Sequence, residues 1–199
     1  MNETVKSRFF LILSVVLSLG VAACGGGAAQ EPPLAGAKIG GPFTLTNQDG
    51  RTVTDRHFQG RYRIVYFGFA NCPDVCPTDL ARIGQALKLF EASQPALAAK
   101  VQPIFISVDP ERDTPSRLKE YVSAFHPRLI GLTGTPQQIA DAAKAYAIYY
   151  AKVPADNGEY TMDHMRVIFL MGPDGKPIAM LPHEQSAQAI AAELERWVK

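Results

Sequence analysis

The chain has 199 residues, 47% of them hydrophobic and 20% charged, and its 20 basic and 19 acidic side chains give a formal net charge of +1. That is an ordinary globular composition, which excludes a disordered, collagenous or multiply membrane-spanning chain. There is no single-signed field or basic run to hold nucleic acid, and three cysteines are too few for a disulfide scaffold.

Lys6 and Arg8 precede an unbroken run of apolar and small residues from Phe9 to Ala23. The run is shorter than the ~20 residues a membrane span needs and fits the apolar centre of a secretory signal. It ends Val21-Ala22-Ala23-Cys24, with Gly25-Gly26-Gly27 behind it. Small residues ahead of a cysteine resemble a bacterial lipobox, in which Cys24 is lipidated and becomes the mature N-terminus. The alternative is an uncleaved N-terminal anchor helix. Either way the rest of the chain is expected outside the cytoplasm and at a membrane, where several acyl chains hold more firmly than one. Residues 1–23 are thus read as a signal peptide and 24–37, rich in Gly, Ala and Pro, as a flexible tether. Residues 38–199 are left as one neutral domain, long enough to bury a core without staples.

Within the domain, Phe43 and Leu45 alternate with Thr44 and Thr46, Asp49-Gly50 supplies a turn, and Val53 follows. This predicts an N-terminal β-hairpin. Ile64 to Ala70 (IVYFGFA) is a continuous apolar run suited to a strand buried on both faces. Leu80, Ile83, Leu87 and Phe90 then recur at helical spacing, predicting a helix over 78–90. Ile104 to Val108 is a second buried strand. Thr114-Pro115 and Thr135-Pro136 each pair an N-cap with a proline at the first helical position, and Leu129 to Leu132 between those helices is a short strand. Val167 to Met171 and Ile178 to Leu181 flank the Gly172-Pro173-Asp174-Gly175 turn as a hairpin. Ser186 caps a last helix carrying Ile190, Leu194 and Trp197.

A strand–helix–strand beginning and a strand–strand–helix finish make the thioredoxin pattern. The predicted fold is α/β and thioredoxin-like: a mostly parallel central sheet flanked by helices, with an extra N-terminal β-hairpin.

The chemistry gathers where the first buried strand feeds its helix: Asn71-Cys72-Pro73-Asp74-Val75-Cys76-Pro77. Sites in open α/β sheets form beyond the carboxyl ends of the strands. A helix N-terminus there favours thiolate over thiol, while the charge of Asp74 opposes it. A disulfide staple is a weak reason for this spacing, because so short a loop gains only ~2 kcal/mol from cross-linking. Redox chemistry and metal binding remain. Asp163-His164 stands directly before the strand starting at Val167, in the loop that lies beside the cysteine pair in this fold. Thiol oxidoreductases usually place a cis-proline there. Two thiolates and an imidazole suit Cu(I); Cu(II) wants a further oxygen ligand, and structural zinc wants four protein ligands where three are found.

The segments Tyr66–Pro77 (YFGFANCPDVCP), Ser107–Pro115 (SVDPERDTP) and Asp163-His164 together resemble the Sco/SenC family, as do Gly131–Pro136 and Tyr149–Pro154. The likeness runs from about Phe43 to Trp197. It implies a thioredoxin-fold copper chaperone for cytochrome c oxidase assembly, with Cys72, Cys76 and His164 as ligands of one copper per chain, Cu(I) or Cu(II). It also implies that Asp163 supports the histidine from outside the ligand set. Relatives commonly carry Ser or Thr where this chain has Met165. Strand alternation points Met165 away from His164, so core packing is its expected role, and neither it nor Met162 is counted as a ligand.

Asp109, Glu111, Arg112 and Asp113 are expected in a solvated, cap-rich loop. His57, His126 and His183 lack ligand-spaced partners and are read as ordinary surface or loop histidines. Two functions follow. The first is a chaperone, lipid-anchored through Cys24 on the periplasmic face of the inner membrane. It takes copper from a donor protein and delivers it to apo cytochrome c oxidase subunit II or a similar acceptor. The second is a thiol-disulfide reductase in which Cys72 and Cys76 are the redox pair that keeps the acceptor's cysteines reduced. A peroxidase reading is weaker, because Phe69 stands where the usual Thr before the reactive cysteine would be.

Overall fold

In the computed structural model, which describes residues 30–155 and 158–199, the elements follow in this order. Strands β1 (Thr44–Asn47) and β2 (Thr52–Thr54) precede a 3-10 turn (Asp55–Phe58) and β3 (Tyr62–Gly68). Helices α1 (Val75–Ser93) and α2 (Pro95–Ala98) lead to β4 (Val101–Ser107), α3 (Pro115–Ser123), β5 (Ile130–Thr133) and α4 (Pro136–Ala145). Strands β6 (Tyr150–Pro154), β7 (Tyr160–His164), β8 (Ile168–Met171) and β9 (Pro177–Leu181) and helix α5 (Ala187–Trp197) complete the chain.

Seven strands form one sheet in the order β2-β1-β5-β4-β3-β8-β9. The central three, β5, β4 and β3, are parallel, and β1 and β8 close on them antiparallel from either side. Every residue of β3 and of β4 is buried, as expected of strands covered on both faces. Side chains alternate across β3: Tyr66 turns toward α1, where its hydroxyl donates to Asp79, and Phe67 packs on Tyr146 just beyond α4. Helix α5 packs along α1, and α3 lies against Gly131 of β5, where a Cβ would come within 3.1 Å of Leu118 and Val122. The result is the expected thioredoxin-like α/β arrangement.

The N-terminal hairpin forms with Leu45 opposite Val53, and its turn places Gly50 at φ +77°. The three anticipated helix starts are capped by their own hydroxyls: Thr114 accepts from Arg117 N–H, Thr135 from Gln138 N–H and Ser186 from Ala189 N–H.

Four features differ from expectation. β6 and β7 make a separate two-stranded ribbon that the sequence did not signal, because the half-exposed run Tyr150–Pro154 has no clean apolar alternation. His126 is buried rather than at the surface. Asp109 and Asp113 are buried rather than solvated, for reasons given below. The compact unit begins at Pro32 rather than near Lys38, since Leu34 N–H donates to the Ile178 carbonyl at 3.0 Å and Gly40 N–H to that of Ala145 at 2.8 Å. The expected signal 1–23 and Cys24 lie outside the described residues. Among the described residues, no helix is long and apolar enough to cross a membrane.

Candidate metal centre

The turn that leaves β3 carries Cys72, and α1 opens at Val75. Cys76 therefore lies in the first helical turn, not in a loop ahead of a helix starting at Thr78. Pro77 is tolerated there because the first-turn N–H groups have no intrahelical partner to lose. Asp74 sits at the N-cap position but its side chain caps nothing. The Cys72 sulfur takes that place, accepting the Cys76 N–H at 3.4 Å.

Neither the helix N-terminus nor the charge of Asp74 is the main influence on Cys72. The Cys72 thiol is pulled down to about 5. The main cause is the Cys76 side chain, which donates to its sulfur; burial opposes this, and the N–H groups of Asp74, Cys76 and Val75 reinforce it. Cys76 is pushed far up, by that same hydrogen bond and by burial. The contact between them thus favours the thiolate at Cys72 and the thiol at the fully buried Cys76. Both cysteines are free.

His164 ends β7 and brings Nε2 to 3.4 Å from Cys76 Sγ. Its Nδ1 lies 3.2 Å from the Met165 carbonyl oxygen. A carbonyl only accepts, so Nδ1 is the donor in that contact and Nε2 is the ring nitrogen that faces the sulfur. The edges of Phe69 and Tyr66 wall the imidazole, with ring centroids at 5.9 and 6.4 Å. Gly68 lets β3 approach: a Cβ there would lie 2.9 Å from Cys76 Sγ.

Buried charges hold this frame. Asp79, one turn beyond Cys76 on α1, is fully buried. Arg166 donates to it through Nε at 2.7 Å and Nη2 at 2.6 Å, and Tyr66 through its hydroxyl at 3.1 Å. Asp113 accepts the Ala70 N–H at 2.9 Å and the Ser107 hydroxyl at 2.6 Å. Asp109 takes Arg112 Nε at 2.5 Å and the Tyr160 hydroxyl at 2.9 Å. Asp109 and Asp113 are buried because each meets donors from outside its own loop. Asp79, Asp113 and Arg166 are supporting residues that sequence reasoning missed.

The structure thus brings Cys72 and His164 each into contact with Cys76. It does not bring Asp163 to the histidine: the Asp163 side chain is exposed and sits opposite Ala151 in the ribbon register, while the Nδ1 partner is the Met165 carbonyl. Met165 is 45% exposed and packs in no core, whereas Met162 is buried. Among the described residues, no group of three or more His, Cys, Asp and Glu stands as a ready-made metal cage. Cys76 is the member that meets both others. Pro73 and Asp74 are exposed beside the pair, so the site is approachable from that side.

A match to the SCO1/SenC family covers residues 31–199. The chain belongs to the SCO1/SenC family. It is 45% identical to the mitochondrial SCO1 homolog 1 of Arabidopsis thaliana over 148 residues, covering 74% of this chain and 43% of that protein. It is 40% identical to the human mitochondrial SCO1 homolog over 157 residues, covering 78% and 52%. The chain therefore spans about half the length of the curated relatives it matches. Among solved structures, copper-bound ScoI of Bradyrhizobium japonicum is 45% identical with a TM-score of 0.73, covering 80% of this chain and 99% of that one. A SCO1/SenC lipoprotein of Bacillus anthracis is 25% identical with a TM-score of 0.68, covering 85% and 98%. BsSco, described as a cytochrome c oxidase assembly protein with a disulfide switch, is 27% identical with a TM-score of 0.64. A thioredoxin domain from Bacteroides vulgatus, 17% identical at a TM-score of 0.56, supports the fold alone.

Proposed function

We propose that this SCO1/SenC protein is a copper chaperone that holds one copper through Cys72, Cys76 and His164 and delivers it to the binuclear copper site of cytochrome c oxidase subunit II. The observation that carries this reading is the approach of His164 Nε2 to Cys76 Sγ at 3.4 Å. Disulfide exchange needs no imidazole at that place; a soft metal site does. Two thiolates and an imidazole suit cuprous copper, and ScoI of Bradyrhizobium japonicum is a relative solved with copper bound.

The residues divide the work. Cys72 offers a thiolate near neutral pH without first losing a proton. Cys76 must release its proton as the metal enters, and the open side at Pro73 and Asp74 lets that proton leave and the acceptor approach. We further propose that Cys24 carries a lipid anchor on the periplasmic face of the inner membrane, with residues 1–23 as its signal; a Bacillus anthracis relative is described as a lipoprotein.

A reductase acting on the acceptor's cysteines is the second reading. It is favoured by the Cys72 thiolate, which is the attacking form in thiol–disulfide exchange.

Titrating the reduced protein with Cu(I) against a competing chelator, beside His164→Ala, tests the choice. The chaperone predicts one tightly held copper, weakened by more than tenfold in His164→Ala. Binding indifferent to His164, or no tight binding, contradicts it and leaves the redox pair as the function.

A further inference from the structure

We infer that Arg166 is a positioning residue for this site, holding the end of the ribbon that carries His164 against the helix that carries Cys76. The inference deepens the metal-site reading and rests on it for its copper readout.

His164 and the cysteines belong to different parts of the fold. Cys72 and Cys76 follow β3 of the main sheet, while His164 ends β7, whose strand partner is β6 in the separate ribbon. Among the described residues, no strand pairing ties that ribbon to the main sheet. At its far end, Arg112 Nη1 donates to the Tyr160 carbonyl at 2.9 Å, and the Tyr160 hydroxyl reaches Asp109. At the His164 end, the charged tie is Arg166, two residues on. Its fork grips both oxygens of Asp79 at 2.7 and 2.6 Å, and Asp79 stands one helical turn beyond Cys76.

The pair is built to be rigid. A bidentate guanidinium–carboxylate contact fixes direction as well as distance. Asp79 is fully buried, so it depends on this partner: Arg82 lies farther off at 3.5 Å and donates to the His183 carbonyl at 2.9 Å. The Tyr66 hydroxyl completes the carboxylate's shell, and the Tyr66 ring also walls the imidazole. Loss of Arg166 would release the His164 end of the ribbon while leaving every proposed ligand in the chain.

Arg166→Met alone leaves a buried unpaired carboxylate and can simply unfold the protein. The test therefore uses Asp79→Asn/Arg166→Met, which removes both charges together, with Arg166→Lys, which keeps the charge but not the fork. The first readout is made without metal: the long-range proton–nitrogen NMR spectrum of the His164 ring. The wild type shows ring signals shifted by the edges of Phe69 and Tyr66, and the paired variant shows a ring released from those contacts. The second readout is Cu(I) affinity by chelator competition, which falls at least tenfold in the paired variant and less in Arg166→Lys. A paired variant with the wild-type ring signals and wild-type affinity overturns the inference. Wild type that holds no copper instead overturns the chaperone reading, and the metal-free spectrum still decides the role of Arg166.

Discussion

The carboxylate of Asp113 accepts the backbone N–H of Ala70 at 2.9 Å, tying the loop after β4 to the turn that presents Cys72. The same oxygen takes the Ser107 hydroxyl, so a single buried atom gathers the ends of both central strands. Asp113→Ala would strand the buried Ser107 hydroxyl, which costs about 1–3 kcal/mol, and the part-buried Ala70 N–H. The expected outcome is a clearly lower midpoint in urea unfolding at unchanged slope, together with faster alkylation of Cys72. An unchanged midpoint would show that the tie contributes nothing.

The cysteine pair predicts its own pH dependence. With the Cys72 thiol held at about 5, its rate of alkylation by iodoacetamide rises with pH through a midpoint near that value and is flat at neutrality. The main cause is the hydrogen bond from Cys76, so Cys76→Ala moves the midpoint upward. Cys76 itself, buried and pushed up, stays unreactive at neutral pH in the folded protein. A Cys72 midpoint at the ordinary thiol value of about 8.5 would contradict this arrangement.

His126 predicts acid sensitivity away from the site. Burial holds its imidazole below the ordinary histidine value, against the raising influence of Glu91. The unfolded chain then takes up a proton at a higher pH than the folded one. This stabilising contribution is full above the unfolded value of about 6.5 and declines as pH falls below it. Thermal midpoints should drop between about pH 7 and 5, and His126→Gln should flatten that part of the curve. An equal drop in the variant would assign the acid sensitivity to other groups.

Gly68 predicts how tightly the site is built. A Cβ there would meet Cys76 Sγ at 2.9 Å and the Phe105 ring at 3.0 Å. Both neighbours are buried and fixed, so the added methyl must displace them, at about 1–3 kcal/mol. Gly68→Ala is expected to lower both the unfolding midpoint and copper affinity. Wild-type values for both would mean that the sulfur moves freely.

Elements whose signals are local were legible in the sequence. Thr114-Pro115, Thr135-Pro136 and Ser186 start helices because cap and proline act within one turn. The buried run through Tyr66 could only be a central strand. The nearness of His164 to the cysteines was legible because the thioredoxin order of elements brings the segment ahead of β8 beside the end of β3, although His164 ends a strand rather than lying in the expected loop.

What was hidden depends on partners far along the chain. Nothing near Asp79 announces a buried carboxylate, since its guanidinium comes from Arg166, 87 residues away. Asp113 is read as a cap until Ala70 appears beside it. The early start of α1 was missed because a cysteine sulfur, not a customary cap residue, takes the Cys76 N–H. Met165 follows the last residue of β7, so strand alternation no longer sets its direction, and it is exposed to solvent rather than packed in the core.

X-ray absorption of the copper-loaded, reduced protein tests the central claim most directly. The account predicts a first coordination shell with two sulfur scatterers and one imidazole nitrogen, the nitrogen disappearing in His164→Ala. A shell without sulfur, or a spectrum identical in wild type and His164→Ala, would contradict it.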